Sequence, residues 1–180
     1  MNSTRFVLAA MVLGTALGTS QANAQCSSNL GSCNTTNTAQ VSVGALVKLG
    51  MTTATTTLTA PTADNIEAGD VLQDAGPVFT VKANRSWNLK IKSGNAANFT
   101  YVSGGNSGVK PISHLAWSTT AGGTYAAITA SDVTFSSGGA ATNGASESSF
   151  FRTTWVNDFA DASNREGVYS LPIVFTLTAP

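Results

Sequence analysis

The chain has 180 residues, of which 10% are charged and 42% are hydrophobic, and its formal net charge is zero. This length suits one domain, or two at most, with a buried core. A charged content far below the roughly 25% of an average soluble domain argues against a cytosolic enzyme and a coiled coil. The neutral balance lacks the electrostatic signature of a nucleic-acid-binding protein.

The N-terminus has the pattern of a secretory signal peptide. Arg5 precedes an apolar run over residues 6–17, and Ala22-Asn23-Ala24 forms a small-x-small cleavage site. We therefore predict that residues 1–24 are removed before Gln25. The run is shorter than the roughly 20 apolar residues that span a bilayer, so it is not read as a membrane anchor. No transmembrane segment is expected after cleavage. The predicted location is secreted or on the cell surface, with the periplasm as an alternative.

Both cysteines, Cys26 and Cys33, follow the predicted cleavage site. Export favours a disulfide between them. A zinc site is the alternative, but zinc takes four ligands and the single histidine, His114, lies far along the chain. Residues 25–39 are polar and predict a flexible N-terminal segment. Residues 40–180 predict a single domain.

The rest of the sequence alternates with period two, which is typical of β-strands. In residues 87–92, Trp87, Leu89 and Ile91 share one face and polar residues occupy the other. A hairpin is expected at Asn84-Arg85, between this strand and the preceding one. The predicted strands cover residues 41–49, 52–59, 78–82, 87–92, 98–103, 115–118, 125–129, 133–136, 149–156 and 168–178.

Glycine- and asparagine-rich turns separate these segments, and no window of a dozen residues has a helical apolar stripe. The predicted fold is an all-β, antiparallel β-sandwich, Ig-like or jelly-roll-like, with eight to ten short strands. Pro172 lacks the backbone N–H of a sheet ladder, so the last strand is expected at a sheet edge or at a bulge.

Four acidic residues lie close together in sequence, between two predicted strands: Asp64, Glu67, Asp70 and Asp74. Carboxylate oxygens on a glycine-containing loop are ligands that calcium takes. The spacing fits no EF-hand. A weak calcium site and a solvated acidic loop are therefore both open, and no other cofactor is indicated.

No catalytic set is evident. His114 is the only histidine, and no Gly-x-Ser-x-Gly motif follows a strand. Asp158 and Asp161 are a candidate carboxylate pair for glycoside hydrolysis, but nothing around them predicts a raised pKa. We therefore expect a protein that is not an enzyme.

Aromatic residues offer a possible surface for sugar binding, and these are Trp87, Trp117, Trp155, Tyr101 and Tyr125. The face that Trp87 shares with Leu89 and Ile91 favours a place in the core for this tryptophan.

Two short motifs resemble a family. Trp87-Asn88-Leu89 is a Trp-x-Leu strand, and the C-terminus with Phe175 and Leu177 resembles the closing strand of WxL-type bacterial cell-surface domains. Phe175 stands where that family has tryptophan. The resemblance implies an exported β-rich domain that binds peptidoglycan non-covalently and supports surface complexes. The chain also looks like pilin-like and coat-like exported β-sandwiches in its architecture.

Two functions follow from the sequence. The first is a non-enzymatic bacterial surface protein, structural or adhesive, as a subunit of an extracellular assembly. Its residues 168–178 carry no charge that would guard an edge strand, which favours self-association by strand pairing. The alternative is a module that binds cell-wall polymer or another glycan, with or without calcium.

Overall fold

The computed structural model describes residues 31–105 and 107–180. The predicted signal peptide and Cys26 lie outside these residues, so export and the Cys26–Cys33 disulfide stay predictions. Val43–Pro180 forms one compact unit, and residues 31–42 contain no helix or strand. No helix in the described part of the chain is long and apolar enough to cross a membrane.

The described residues form ten strands, one short helix and two 3₁₀ turns. The strands are β1 (Val47–Met51), β2 (Val71–Ala83), β3 (Trp87–Ser93), β4 (Thr100–Ser103), β5 (Leu115–Ser118), β6 (Ala126–Ala127), β7 (Val133–Gly138), β8 (Thr142–Thr154), β9 (Val168–Ser170) and β10 (Ile173–Thr178). Helix α1 covers Ala63–Ala68, and the 3₁₀ turns cover Ile112–His114 and Ala162–Asn164. The predicted all-β fold is confirmed.

The strands pair antiparallel in three sheets. Five strands follow the order β1-β2-β8-β5-β6, three follow β10-β3-β7, and β4 pairs with β9. The two larger sheets share an apolar core, as alternating side chains on their inner faces predict. Its largest buried members include Phe79, Trp87, Leu89, Ile91, Leu115, Phe135 and Phe151. The inward face predicted for Trp87, Leu89 and Ile91 is confirmed.

The hairpin predicted at Asn84-Arg85 is wrong. β2 pairs with β1 and β8, whereas β3 pairs with β10 and β7, so the chain crosses between sheets here. Asn84 fixes the crossing because its side chain accepts a hydrogen bond from the Leu46 amide and donates one to the Gly44 carbonyl. A short polar connection therefore joins two layers instead of two neighbouring strands.

The strand predicted over residues 52–59 is also wrong, because these residues lie outside every strand. Side-chain hydrogen bonds hold the two ends of this segment instead. The Thr52 hydroxyl accepts a hydrogen bond from the Val78 amide, and both the amide and the hydroxyl of Thr59 donate to the Asp74 carboxylate. Threonine favours strands by propensity, but here its hydroxyl competes with the ladder.

The long C-terminal strand predicted over residues 168–178 is divided in two at Pro172. β9 pairs with β4, and β10 pairs with β3, so the segment moves from one sheet to another across Leu171 and Pro172. Among the described strands, β10 pairs with β3 alone, which places it at the edge of its sheet. The predicted edge position is confirmed for β10.

Candidate functional site

The four predicted calcium ligands lie on and after helix α1. Asp64 is in its first turn, and Glu67 is also helical. Asp70 accepts a hydrogen bond from the Asn65 side chain, and Asp74 is bound to Thr59. In the described residues, no group of three or more His, Cys, Asp or Glu side chains is placed to hold a metal ion. Calcium binding stays a prediction.

The short helix that carries Asp64 and Glu67 was missed in the sequence, although its end signals are present. Thr62 and Asn65 form a reciprocal capping box at the N-terminus, and Gly69 ends the helix with φ of 64°. Six residues are too few for the apolar periodicity that identifies longer helices.

The residues of the two Trp-x-Leu-like motifs come together in the structure. β3 and β10 pair so that Leu177 lies opposite Leu89 and Phe175 lies opposite Ile91. Phe175 contacts Phe79 across the core, with ring centroids 4.3 Å apart. Both motifs therefore build one part of the apolar core and do not form a polar site.

The core is less well covered at β10 than at β3. Leu89 and Ile91 on β3 are 0% and 1% exposed, whereas Phe175 and Leu177 on β10 are only half-buried. Across the sandwich, β1 is the edge strand of the other sheet and contacts β10. We call this side of the molecule, bounded by β1 and β10, the open edge.

The four edge strands of the two larger sheets differ in how they are protected from pairing with other chains. β1 carries Lys48, β6 has two residues, and β7 contains a bulge against β3 between Leu89 and Lys90. β10 has no charged residue, and its register with β3 is continuous over six residues. Charge, short length and bulges are the usual protections of an edge. Only β10 among these four lacks all of them.

An exposed apolar segment precedes β1. Val41 and Val43 are 89% and 68% exposed, Leu46 is also exposed, and residues 41–46 belong to no strand. In an extended chain, residues two apart point to the same side. Val41 and Val43 can therefore present two apolar side chains together to another surface.

A buried lysine lies at another end of the domain. Lys110 is 4% exposed, and its Nζ lies 3.6 Å from the centroid of the Trp155 ring and 3.5 Å from the Thr154 carbonyl oxygen. The aromatic face partly replaces lost water around the ammonium group. No local pattern in the sequence signals this contact, because Lys110 and Trp155 are 45 residues apart along the chain.

Three titratable groups influence one another around this lysine. Burial lowers the pKa of Lys110 to about 8, against an opposing effect of Asp161. Burial, and secondarily the charge of Lys110, also lowers the pKa of His114. Hydrogen bonds from the Ser163 hydroxyl and amide lower the pKa of the Asp161 carboxyl. His114 itself is half-buried at the end of the first 3₁₀ turn, directly before β5.

The paired carboxylates considered for glycoside hydrolysis are both engaged in local structure. Asp158 accepts a hydrogen bond from the Ala160 amide, and Asp161 begins the second 3₁₀ turn by accepting from Ser163. The hydrogen bonds from Ser163 lower the pKa of the Asp161 carboxyl, whereas a general acid needs a raised pKa.

The five aromatic residues named from the sequence do not form an exposed platform. Trp87 and Trp117 are buried, and Trp155, Tyr101 and Tyr125 are half-buried. Arg152 covers the Tyr125 ring at 4.3 Å from its centroid.

The chain matches no protein-family model and no curated protein. Among solved structures it is similar to a chain from a structure of a chaperone–usher pilus, at 13% sequence identity and a TM-score of 0.49. The similarity covers 86% of this chain and 99% of that chain. The resemblance to WxL-type domains stays an expectation from the sequence.

Proposed function

We propose that this protein is a non-enzymatic structural subunit of an extracellular assembly, which joins neighbouring copies by adding a strand at the open edge. The observation that carries the proposal is β10, an uncharged edge strand with an unbroken register. Such a strand offers its free backbone N–H and C=O groups to an incoming strand.

The partial burial of apolar side chains on β10 favours the same strand as the contact. Ile173, Phe175 and Leu177 point toward the core but stay half-buried, because β10 has a partner on one side only. A strand added next to β10 would cover these side chains. Burying apolar surface stabilises the contact by about 25 cal/mol for each Å² removed from water.

The proposed occupant is residues 41–46 of a second copy. This segment is exposed and belongs to no strand, and in an extended form it would present Val41 and Val43 on one side. The donor segment and the acceptor strand β10 are different parts of the chain, so the proposed contact is head-to-tail. Head-to-tail contacts form rings or open filaments instead of closed two-fold dimers.

The test measures association of residues 25–180 by analytical ultracentrifugation over a range of protein concentrations. Val174→Glu places a charge on the outer face of β10, opposite Lys92, where the register pairs the two positions. Because opposite charges stabilise a cross-strand pair, folding is expected to be retained. The matched control is Val102→Glu, which changes an exposed valine on β4.

We expect the wild type and Val102→Glu to form concentration-dependent oligomers and Val174→Glu to stay monomeric. Val43→Asp, which charges the donor segment, is expected to have the same effect as Val174→Glu. A monomeric wild type at every concentration would contradict the proposal. Equal assembly of a folded Val174→Glu variant would exclude β10 as the contact.

A further inference from the structure

The loop over residues 155–167, which joins β8 to β9, is held in one shape by its own hydrogen bonds. The Asn164 side chain donates to the carbonyls of Val156 and Asp158, at 2.5 and 2.9 Å. The Asp158 carboxylate accepts from the Ala160 amide at 2.8 Å. A loop fixed in this way needs little ordering when a ligand binds, which favours binding.

The same loop is fastened to residues 107–109. The Val109 amide donates to the Ala162 carbonyl at 3.0 Å, and the Tyr169 hydroxyl accepts from the Gly108 amide while donating to Arg165. Binding residues are often carried on loops that a rigid scaffold positions.

This loop borders an open cleft of about 560 Å³, lined by Phe159, Ala160, Asn164, Arg165 and Glu166. Phe159 is 57% exposed and is the sole exposed aromatic residue in the described part of the chain. The other aromatic rings there cover the core or pack on neighbours. An exposed aromatic ring beside a polar cleft is suited to stacking against a ligand.

The charges of the cleft cancel. Arg165 and Glu166 are adjacent and exposed, and they carry opposite charges. A Cβ on Gly105 would lie 2.6 Å from Glu166 Oε2, so the absence of a side chain there leaves room for the glutamate. A guanidinium donor and a carboxylate acceptor together suit a ligand with many hydroxyl groups and no net charge.

We propose that this cleft binds a neutral oligosaccharide, with one sugar ring stacked on Phe159 and its hydroxyls bonded by Arg165 and Glu166. The cleft shares no lining residue with β10, and the site gives the subunit a ligand-binding activity beyond assembly. With one aromatic platform and few polar groups, we expect a dissociation constant of about 1 mM.

The test is saturation-transfer NMR on residues 25–180 with cellotetraose, maltotetraose and tetra-N-acetylchitotetraose as neutral probes and trigalacturonate as an acidic one. This method observes the sugar, so it works for a monomer and for an assembly. Phe159→Ala is the variant. Val102→Ala is the matched control, because Val102 is also 57% exposed and lies on another element, β4.

We expect saturation transfer to at least one neutral probe, a loss of about tenfold in its affinity in Phe159→Ala and no change in Val102→Ala. Absence of transfer to all three neutral probes at about 20 mM, well above the expected dissociation constant, would overturn the proposal. Equal binding by Phe159→Ala, or binding of trigalacturonate alone, would overturn it too.

Discussion

Two regions of this domain are stabilised in different ways. In the core between the two larger sheets, Phe79, Phe135 and Phe175 pack ring against ring, with centroids 4.3 to 5.7 Å apart. At the end that carries the 155–167 loop, the interior instead contains the ammonium group of Lys110 against Trp155, surrounded by hydrogen-bonded backbone. One region gains stability from apolar burial. The other depends on backbone hydrogen bonds and on the contact between Lys110 and Trp155.

The two regions should therefore respond to substitution in opposite directions. Apolar packing is non-directional, so a core loses stability in proportion to the surface and the cavity that a substitution creates. A buried ammonium group opposes folding because it leaves water, and its aromatic and carbonyl neighbours offset only part of that effect. The aromatic region should therefore be weakened by every truncation, whereas removal of the lysine charge should strengthen the polar region.

The largest expected effect is in the aromatic cluster. Phe79→Ala removes a side chain that is fully buried and contacts both other rings. We expect the free energy of unfolding to fall by about 4 kcal/mol. Phe175→Ala should lower it by less, because Phe175 is half-buried at the open edge. Chemical denaturation of both variants measures the difference, and an equal or larger loss for Phe175→Ala would contradict an open core at β10.

The second expected effect is a dependence of the free energy of unfolding on pH that arises from Lys110. Its pKa is lowered by burial to about 8 in the folded state, so the unfolded chain binds more protons above that pH. Stability should therefore rise between about pH 8 and pH 10.5, by about 2–3 kcal/mol from this group. The rise disappears in Lys110→Met, which should also be more stable than the wild type at pH 7.

His114 and Asp161 interact with Lys110 and complete their own titrations below this pH window, since the pKa of each is lowered. They are therefore present as neutral histidine and aspartate throughout the experiment. Equal pH profiles for the wild type and Lys110→Met would show that Lys110 is not desolvated.

The smallest expected effect concerns the attachment of the 155–167 loop. A Cβ on Gly108 would collide with the Ala162 carbonyl, the Tyr169 hydroxyl and the Arg165 side chain. Gly108→Ala should lower the free energy of unfolding by about 2 kcal/mol through overpacking. Gly139→Ala is the matched control, because its Cβ would meet nothing within 4 Å. A thermal melt that shows equal stability for both variants would contradict the tight packing of this loop.

Much of the β architecture could be predicted from local pattern. Trp87, Leu89 and Ile91 alternate with polar residues. In a strand, this alternation places the three large side chains on one face, where they can be buried together. The uncharged strand after Pro172 likewise indicated an edge, since proline removes a ladder donor. These conclusions held because they depend on neighbours within a few residues along the chain.

Which strands pair was decided only by the tertiary structure. Asn84 and Arg85 have the turn chemistry of a hairpin, yet the chain crosses there to the other sheet, because β2 finds its partners in β1 and β8. The Lys110–Trp155 contact and the exposed position of Phe159 are equally invisible in the sequence. Local pattern fixes which face of a strand is apolar. Partner choice, lysine burial and aromatic exposure depend on contacts between residues dozens of positions apart, and a period of two carries no information about those distances.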